Sequence, residues 1–156
     1  HEGFLPCTEN NFVRQGFRFL GDEYGWGGLD DSVDCSSFVG DVYRSMGIEL
    51  PRDADQQAKS MANVIDLSGM GEADRLAALE SCVPGTLLAN NTHVMMYLGQ
   101  DDAGTPIVLQ SMSSWFSFGS DYGKHYLRKV IASTATFLNF SGVPYIDGVH
   151  YLGSLR

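Results

Sequence analysis

The chain has 156 residues, the length of a single domain of roughly 150 residues. Hydrophobic residues make up 44% of it and charged residues 19%, and no apolar run approaches the roughly 18 residues of a membrane span. A disordered chain, a coiled coil and an integral membrane protein are therefore disfavoured. Ten Lys and Arg against 19 Asp and Glu give a formal net charge of −9, which disfavours nonspecific binding to nucleic acid or to an anionic membrane.

The sequence begins at His1 without a Met and without a leader pattern, so we expect a processed precursor or an excised domain. Residues 1–7 are expected to form a loose N-terminal segment or linker, and residues 8–156 one domain. The three cysteines, Cys7, Cys35 and Cys82, are too few and too scattered for a disulfide framework or a CxxC metal site. Whether Cys7 and Cys82 pair is left open.

Apolar residues at helical spacing predict four helices. The predicted helices span residues 8–20, 35–46, 54–61 and 72–81. Thr8 and Asp53 stand where N-caps belong, and Gly47 where a left-handed C-cap belongs. The Gly- and Asp-rich residues 24–34 predict a loop that runs directly into Cys35.

Short apolar runs in the second half of the chain predict the strands of an antiparallel sheet. The predicted strands span residues 86–89, 93–98, 107–111, 126–132 and 148–152. Because helices come first and strands follow, the order indicates an α+β domain. Residues 112–124 carry Trp115, Phe116, Phe118 and Tyr122 among Ser and Gly, and we expect an aromatic surface loop there.

Cys35 stands at the predicted start of a helix, within the polar run Asp34-Cys35-Ser36-Ser37. Unsatisfied backbone N–H groups and the helix dipole at such a position lower the pKa of a thiol and favour the nucleophilic thiolate. The same N–H groups can hold an oxyanion. The alternative reading of a lone Cys is a small buried hydrophobe, and this reading fits Cys7 and Cys82.

His93 follows the polar run of residues 90–92 at the start of a strand, 58 residues after Cys35. An imidazole in that position can point into a cleft as the base for a thiol, although a capping or merely exposed His remains an alternative. His1, His125 and His150 are interpreted as surface or structural residues. No third ligand of suitable type and spacing accompanies Cys35 and His93, so a metal site is disfavoured and no cofactor is expected.

Five pieces of the chain, in order and at characteristic spacing, closely resemble the NlpC-type bacterial cell-wall endopeptidases. They are Tyr24-Gly-Trp-Gly-Gly28, Asp34-Cys35-Ser36-Ser37-Phe38-Val39, Gly47-Ile-Glu-Leu-Pro-Arg52 with Gln57, Pro84-Gly85, and His93-Val-Met-Met-Tyr-Leu-Gly99. The resemblance implies a papain-like α+β fold, in which N-terminal helices carrying the Cys pack on an antiparallel sheet carrying the His.

Carried over by position, the resemblance makes Cys35 the nucleophile and His93 the general base and then acid. The third position, which orients the imidazole, is usually His in the family, and here the following strand offers Gln110. Gln110 shares a face with His93 if the numbers of paired residues in the two strands sum to an odd value, and Ser111 does so if the sum is even. We favour Gln110, whose longer side chain tolerates a small offset.

The resemblance also places Tyr24 beside the nucleophile, and Asp34 and Ser36 in a pocket for the free amino end of a short peptide. Without the resemblance, Tyr24 is equally well interpreted as an aromatic residue packed in a loop. Asp34 and Ser36 are then equally well interpreted as a capping pair at the start of the helix.

The function that the resemblance implies is a cysteine endopeptidase that hydrolyses the bond between γ-D-glutamate and the following diamino acid, such as diaminopimelate, in peptidoglycan peptides. The substrate would be intact crosslinked wall or small turnover peptides. An amidase or acyltransferase that uses the same pair, and an inactive wall-binding module, are the alternatives. The family implies a site outside the cytoplasmic membrane, with cytosolic recycling as the exception, and allows an N-terminal wall-binding domain outside this sequence.

Overall fold

The computed structural model describes residues 3–27 and 32–156. In chain order its elements are α1 (Glu9–Phe17), α2 (Cys35–Arg44), α3 (Ala54–Lys59), β1 (Asn63–Asp66), α4 (Glu72–Glu80), β2 (Leu87–Ala89), β3 (Val94–Gln100), β4 (Pro106–Ser117), β5 (Gly123–Thr134), a 3-10 helix (Tyr145–Gly148) and β6 (Tyr151–Ser154). Each predicted helix is present with slightly shorter bounds. Residues 28–31 of the predicted loop and residues 1–2 of the N-terminal segment lie outside the described residues.

The strands form one sheet in the order β1-β6-β2-β3-β4-β5, and every pair in it is antiparallel. The α+β class and the papain-like arrangement predicted from the sequence are therefore confirmed. β1 was not predicted, because its four residues, which pair only with β6 at the edge of the sheet, are too few to show a clear alternation.

The helix starts and ends follow local capping chemistry. The Thr8 side chain accepts a hydrogen bond from the backbone N–H of Asn11, as expected for the N-cap of α1. Gly47 adopts a φ of 80° just after α2, where a left-handed C-cap was predicted. Asp53 is the N-cap residue of α3, as predicted, but its side chain makes no capping hydrogen bond.

The sheet separates two hydrophobic clusters. On one face, α1, α2 and α3 pack on the strands through Phe12, Phe38, Val42, Ala58 and other buried residues. On the other face, Leu67 and Leu79 pack with Met95, Val108 and Leu152, residues that alternate along their strands with those of the first cluster. The helix that begins at Cys35 is thus fixed against one face of the strand that follows His93.

The prediction of a surface loop over residues 112–124 was wrong. β4 continues to Ser117 and β5 begins at Gly123, so only five residues turn at the tip of a long hairpin. The run Ser113-Ser114-Trp115-Phe116 contains β-favouring aromatics, which outweigh the polar background that suggested a loop. Pairing slips between Met112 and Ser114, and Arg128, on the opposite strand, adopts a positive φ of 51°.

The described part of the N-terminal segment is attached to the domain. The backbone N–H of Leu5 donates to the carbonyl of Ser45 at 3.0 Å, and the Leu5 side chain packs against the helical cluster. Among the described residues, no helix is both long and apolar enough to cross a membrane.

Candidate active site

A cleft with a volume of about 730 Å³ opens at the end of the sheet where β3 begins. Cys35 at the start of α2 and His93 just before β3 both line it, together with Ser113 of β4 and Tyr145 of the 3-10 helix. The cleft therefore lies where the helical layer, the strand ends and the C-terminal segment meet, and it brings together residues far apart in sequence.

Cys35 is the first residue of α2, and Asp34 is its N-cap. Asp34 accepts from the Ser37 backbone N–H at 2.8 Å, while the Ser37 hydroxyl accepts from the Asp34 N–H at 2.8 Å, which completes a capping box. The box fixes the first turn of α2 and, with it, the direction of the Cys35 side chain into the cleft.

The sequence predicts a lowered pKa for the Cys35 thiol, but in the structure this pKa is raised. Burial raises the pKa of Cys35, and this effect outweighs the hydrogen bonds from the backbone N–H groups of Val94, Ser36 and Cys35 itself, which lower it. The nearby Asp34 carboxylate raises it further. The raised pKa favours the neutral thiol of Cys35, and the contact with the Val94 amide places the sulfur beside the residue that follows His93.

His93 is held by hydrogen bonds at both its backbone and its ring. Its backbone N–H donates to the Asn90 side chain at 2.9 Å, which fixes the turn into β3. Its Nε2 lies 2.8 Å from Oε1 of Gln110. Because an amide oxygen only accepts, the imidazole must donate from Nε2, so Nδ1 is the nitrogen left without a proton.

The His93 pKa is lowered by burial, and the hydrogen bond to Gln110 only partly offsets this effect by raising it. A lowered His pKa together with a raised Cys pKa means that both side chains are uncharged near neutral pH. The directions of these two pKa shifts favour a thiol and an imidazole over a thiolate–imidazolium pair.

In the pairing of β3 with β4, Met96 lies opposite Leu109 and Tyr97 opposite Val108. The numbers of paired residues therefore sum to an odd value, which is the register that favours Gln110. Gln110 therefore shares a face with His93, and this register prediction is confirmed. The Ser111 hydroxyl donates instead to the carbonyl of Val33 at 2.7 Å. Sequence reasoning could not fix the sum, because the bulge between Tyr97 and Gly99 sets it.

Ser133 is a residue of this site that the sequence analysis missed. Gln110 is fully buried, and its amide nitrogen donates to the Ser133 hydroxyl on β5 at 2.9 Å. This contact keeps the amide oxygen pointed at His93. Only the alternation of residues along β5 could have indicated this contact. In the pairing of β4 with β5, Ser133 lies on the same face of the sheet as Gln110.

Tyr145 was also missed, because nothing in its local sequence marks it. Its ring meets the His93 ring edge-on, with 5.3 Å between centroids, and it stacks on Phe137 at 4.7 Å. Burial raises the Tyr145 pKa, and hydrogen bonds with the side chains of Asn90 and Thr92 act in the opposite direction. Tyr145 is therefore a neutral wall of the cleft beside the imidazole.

Asp34 forms the centre of a polar cluster on the helical side of the cleft. Besides Ser37, its carboxylate accepts from the Gly27 N–H at 3.1 Å and the Ser36 hydroxyl at 3.2 Å, and it forms an ion pair with Arg52. Burial raises the pKa of Asp34, but the hydrogen bonds from Arg52 and Ser37 outweigh it and the net pKa is lowered. Asp34 is ionised and serves as a structural cap while it lines the cleft.

Tyr24 lies at the rim of the cleft near this cluster. Its backbone N–H donates to the carbonyl of Arg128 at 2.9 Å, which ties the segment before α2 to the long hairpin. Burial raises the Tyr24 pKa, and the charge of Asp34 raises it further, while the charge of Arg52 lowers it. All six residues singled out as site residues in the sequence thus lie in or directly beneath one cleft.

Cys7, Cys82 and His125 lie outside this cleft. Cys7 and Cys82 are free thiols, and burial raises the pKa of Cys82 to about 11. His125 stacks on Trp115 in the long hairpin, with ring centroids 4.7 Å apart. Within residues 3–27 and 32–156, no three His, Cys, Asp or Glu side chains come together as a metal-binding group.

Comparison with curated proteins finds two relatives of the same kind. A γ-D-glutamyl-L-lysine dipeptidyl-peptidase of Bacillus subtilis (strain 168) is 33% identical over 93 residues, which is 59% of this chain and 30% of the relative. One of Bacillus cereus (strain ATCC 10987 / NRS 248) is 30% identical over 91 residues, 58% of this chain and 26% of the relative. The chain thus matches less than a third of the length of either relative.

Solved structures with the same fold include an NlpC/P60 endopeptidase from Photobacterium damselae subsp. piscicida. It is 22% identical, with a TM-score of 0.65 over 80% of this chain and 31% of that one. An NlpC/P60 family protein from Bacillus cereus ATCC 10987 is also 22% identical, with a TM-score of 0.60 over 97% of this chain and 41% of that one.

The model of the NlpC/P60 family matches residues 21–114, more than half of the chain and the part that contains Cys35, His93 and Gln110. The chain belongs to the NlpC/P60 family of peptidoglycan hydrolases.

Proposed function

We propose that this chain is a cysteine endopeptidase that hydrolyses the bond between γ-D-glutamate and a diamino acid in peptidoglycan peptides. The observation that carries the proposal is that Cys35 and His93 line one cleft, with the imidazole fixed by a 2.8 Å hydrogen bond from Nε2 to the buried Gln110. The names of the curated relatives supply the bond type.

In the first half of the reaction, the Cys35 sulfur attacks the γ-carbonyl carbon of the glutamyl residue as its proton passes to Nδ1 of His93. The C=O bond becomes a C–O⁻ bond in a tetrahedral intermediate. His93 then gives the proton to the amine nitrogen of the diamino acid, the C–N bond breaks, and a γ-glutamyl thioester on Cys35 remains.

In the second half, water attacks the thioester carbon while His93 takes a proton from it. The C–S bond breaks, the glutamyl carboxylate leaves, and the proton returns to the Cys35 sulfur. Both halves need Nδ1 free at the start, which is the tautomer that Gln110 favours by accepting from Nε2.

The oxyanion of each intermediate would be held by backbone N–H groups at the start of α2. The N–H groups of Cys35 and Ser36 already interact with the Cys35 sulfur and lower its pKa. Because they are fixed by the helix and the Asp34 capping box, they stabilise developing negative charge without reorganisation.

The free amino end of the peptide would lie on the helical side of the cleft. The described residues that line this side include three carboxylates, those of Asp34, Asp53 and Asp55. Arg52 forms an ion pair with Asp34, and Lys59 forms one with Asp55, so the excess is one negative charge. This excess of negative charge attracts an ammonium group. Tyr24 and Ser36 border the same region, and we assign all three sequence-predicted residues, Tyr24, Asp34 and Ser36, to binding of that end.

The test is to incubate the protein with purified L-Ala-γ-D-Glu-diaminopimelate and to identify the products by mass spectrometry. The proposal predicts L-Ala-D-Glu and free diaminopimelate. Cleavage at another bond, or transfer of the acyl group to an added amine with no hydrolysis, would replace the proposal with the amidase or acyltransferase reading. No turnover of this or of crosslinked peptides would favour an inactive wall-binding module.

Cell-wall hydrolysis by the family also bears on where the protein works. We propose that the chain acts outside the cytoplasmic membrane, where crosslinked wall is found. Fractionation of the producing cells, with activity assayed in each fraction, tests this placement.

A further inference from the structure

A second, smaller groove adjoins the active-site cleft on the side away from the helices. Its volume is about 320 Å³, at the lower end of the roughly 300–1,000 Å³ of ligand-binding pockets. Three residues, Ser114, Phe137 and Tyr145, line both the cleft and the groove. The two cavities therefore meet at the wall that Tyr145 forms beside His93.

The groove and Asp34 lie on opposite sides of the catalytic pair. Asp34 precedes α2, which packs on one face of the sheet, whereas Phe137 and Tyr145 pack against the cluster on the other face. A peptide that has its amino end near Asp34 and its scissile bond at Cys35 must therefore direct its other end toward the groove.

The lining of the groove differs from that of the helical side in chemistry. It is built mainly from aromatic rings, among them Phe116, Phe137 and Phe140. Phe140 is 80% exposed, so a ligand in the groove would remove much of its ring from water. Lys124 is the single charged side chain among the described residues that line the groove.

The two ends of the combined cavity thus carry opposite charge. On the helical side, with the ion pairs Arg52–Asp34 and Lys59–Asp55 counted, carboxylates exceed cations by one, and Lys124 gives the far end a positive charge. The Lys124 ammonium lies 5.0 Å from the centroid of the Tyr126 ring, a cation–π contact that limits its freedom. A peptide with a free ammonium at one end and a free carboxylate at the other would align along this cavity in one direction.

We propose that the groove binds the leaving-group half of the substrate, namely the diamino acid and the residues attached to its carboxyl side, with their terminal carboxylate near Lys124. This inference rests on the proposed function and deepens it, because it makes stem peptides that extend beyond the diamino acid the preferred substrate class. The aromatic rings cover the apolar side chains of the extension, and Lys124 selects its free carboxylate.

The first test compares kcat/KM for two peptides, one that ends at the diamino acid and one extended by two alanines. The wild-type chain is expected to favour the longer peptide roughly tenfold, which corresponds to about 1.4 kcal/mol. Phe140→Ala should lower this preference about three- to tenfold. Phe17→Ala removes a partly exposed ring of α1 that does not line the groove, and should leave the preference unchanged.

The second test isolates the charge of Lys124. Changing the carboxylate of the longer peptide to an amide and changing Lys124→Gln should each lower kcat/KM about threefold, and together they should cost little more than either alone. Added salt should weaken the effect. Lys129→Gln, on the same strand but not in the groove, serves as the matched control and should show no coupling to the amide.

The outcomes separate the groove from the proposed function. If the wild-type chain cleaves both peptides with equal kcat/KM, or if the preference survives both Phe140→Ala and Lys124→Gln, the groove proposal is overturned while the peptidase activity stands. If peptide-free glycan chains inhibit cleavage and Phe140→Ala relieves that inhibition, the groove binds sugar instead. If neither peptide is cleaved, the proposed function itself fails.

Discussion

The start of β3 and the far end of the β4–β5 hairpin are built in opposite ways. At the start of β3, hydrogen bonds fix the main parts of the site: Asp34 caps α2, Asn90 holds the backbone of His93, and Gln110 holds its ring. At the far end of the hairpin, large rings such as Tyr122 and Tyr126 remain 70% and 64% exposed. One end has the rigidity that catalysis needs, and the other has surface left for a ligand.

The two regions also differ in their relation to the family. The match to the family model ends at residue 114, so Cys35, His93 and Gln110 lie inside it while the hairpin tip and Tyr145 lie outside it. The contrast suggests that the reaction belongs to the shared part of the fold, and that the residues beyond it adjust which peptides reach the reaction. Variants of Cys35, Gln110 and Ser111 test the first of these roles, and the Phe140→Ala and Lys124→Gln variants test the second.

The largest effect is expected from Cys35→Ala, which should abolish hydrolysis because no other group can form the thioester. The circular dichroism spectrum and melting temperature should stay close to wild type, since the change removes one sulfur atom at the edge of a cleft. Cys7→Ala and Cys82→Ala, which alter thiols outside the cleft, are the matched controls and should keep their activity. Comparable turnover by Cys35→Ala would end the thiol mechanism.

Gln110→Ala should give the next largest effect. It removes a hydrogen bond to a ring that becomes charged, worth roughly 1.5–3 kcal/mol, so kcat should fall on the order of tenfold to a few hundredfold. Gln110→His should keep most of the activity, because an imidazole nitrogen can accept the same bond. Steady-state kinetics of both variants checks this. Wild-type kcat in Gln110→Ala would show that the ring needs no partner on β4.

The pH dependence of kcat/KM should be bell-shaped, because the active form has a neutral imidazole and a neutral thiol. Burial lowers the pKa of His93 from its ordinary 6.5, so the acid limb should lie below pH 6.5. Burial raises the pKa of Cys35 from its ordinary 9.0, so the alkaline limb should lie above pH 9.0.

The Gln110→Ala variant sharpens this pH prediction. The hydrogen bond to Gln110 raises the His93 pKa, and its loss should therefore move the acid limb to still lower pH. An acid limb that moves to higher pH, or a wild-type profile with its optimum below pH 6, would contradict the neutral resting pair.

Ser111→Ala should have the smallest effect on catalysis and a clear effect on stability. Its hydroxyl donates a hydrogen bond to the buried carbonyl of Val33. Loss of that donor should lower the free energy of unfolding by about 1–3 kcal/mol. The kcat of the folded variant should stay within about twofold of wild type. Chemical denaturation and kinetics, measured side by side, check both parts. A large loss of kcat with unchanged stability would assign Ser111 a chemical role.

Much of the site could be predicted from the sequence because its parts are local. The cap of α2, the helix that starts at Cys35 and the turn before His93 each follow from residues within four positions of one another. Whether Gln110 or Ser111 faces His93 depended on the register of β3 and β4, and local sequence does not determine that register.

The remaining features depend on contacts between distant segments. Tyr145 reaches His93 only because residues 135–149 return along the sheet, and Ser133 reaches Gln110 only through the pairing of β4 with β5. The pKa of Cys35 was predicted in the wrong direction for the same reason: the helix start is visible in sequence, but the burial that outweighs it is produced by the whole fold.

The central claim is that Gln110 holds His93 with its proton on Nε2, so that Nδ1 is free for the Cys35 proton. Nitrogen-15 NMR of the His93 ring reports this tautomer directly, without substrate. The account predicts a protonated Nε2 and a bare Nδ1 at pH 7, with loss of this preference in Gln110→Ala. A proton on Nδ1, or an imidazolium that persists at pH 7, would contradict it.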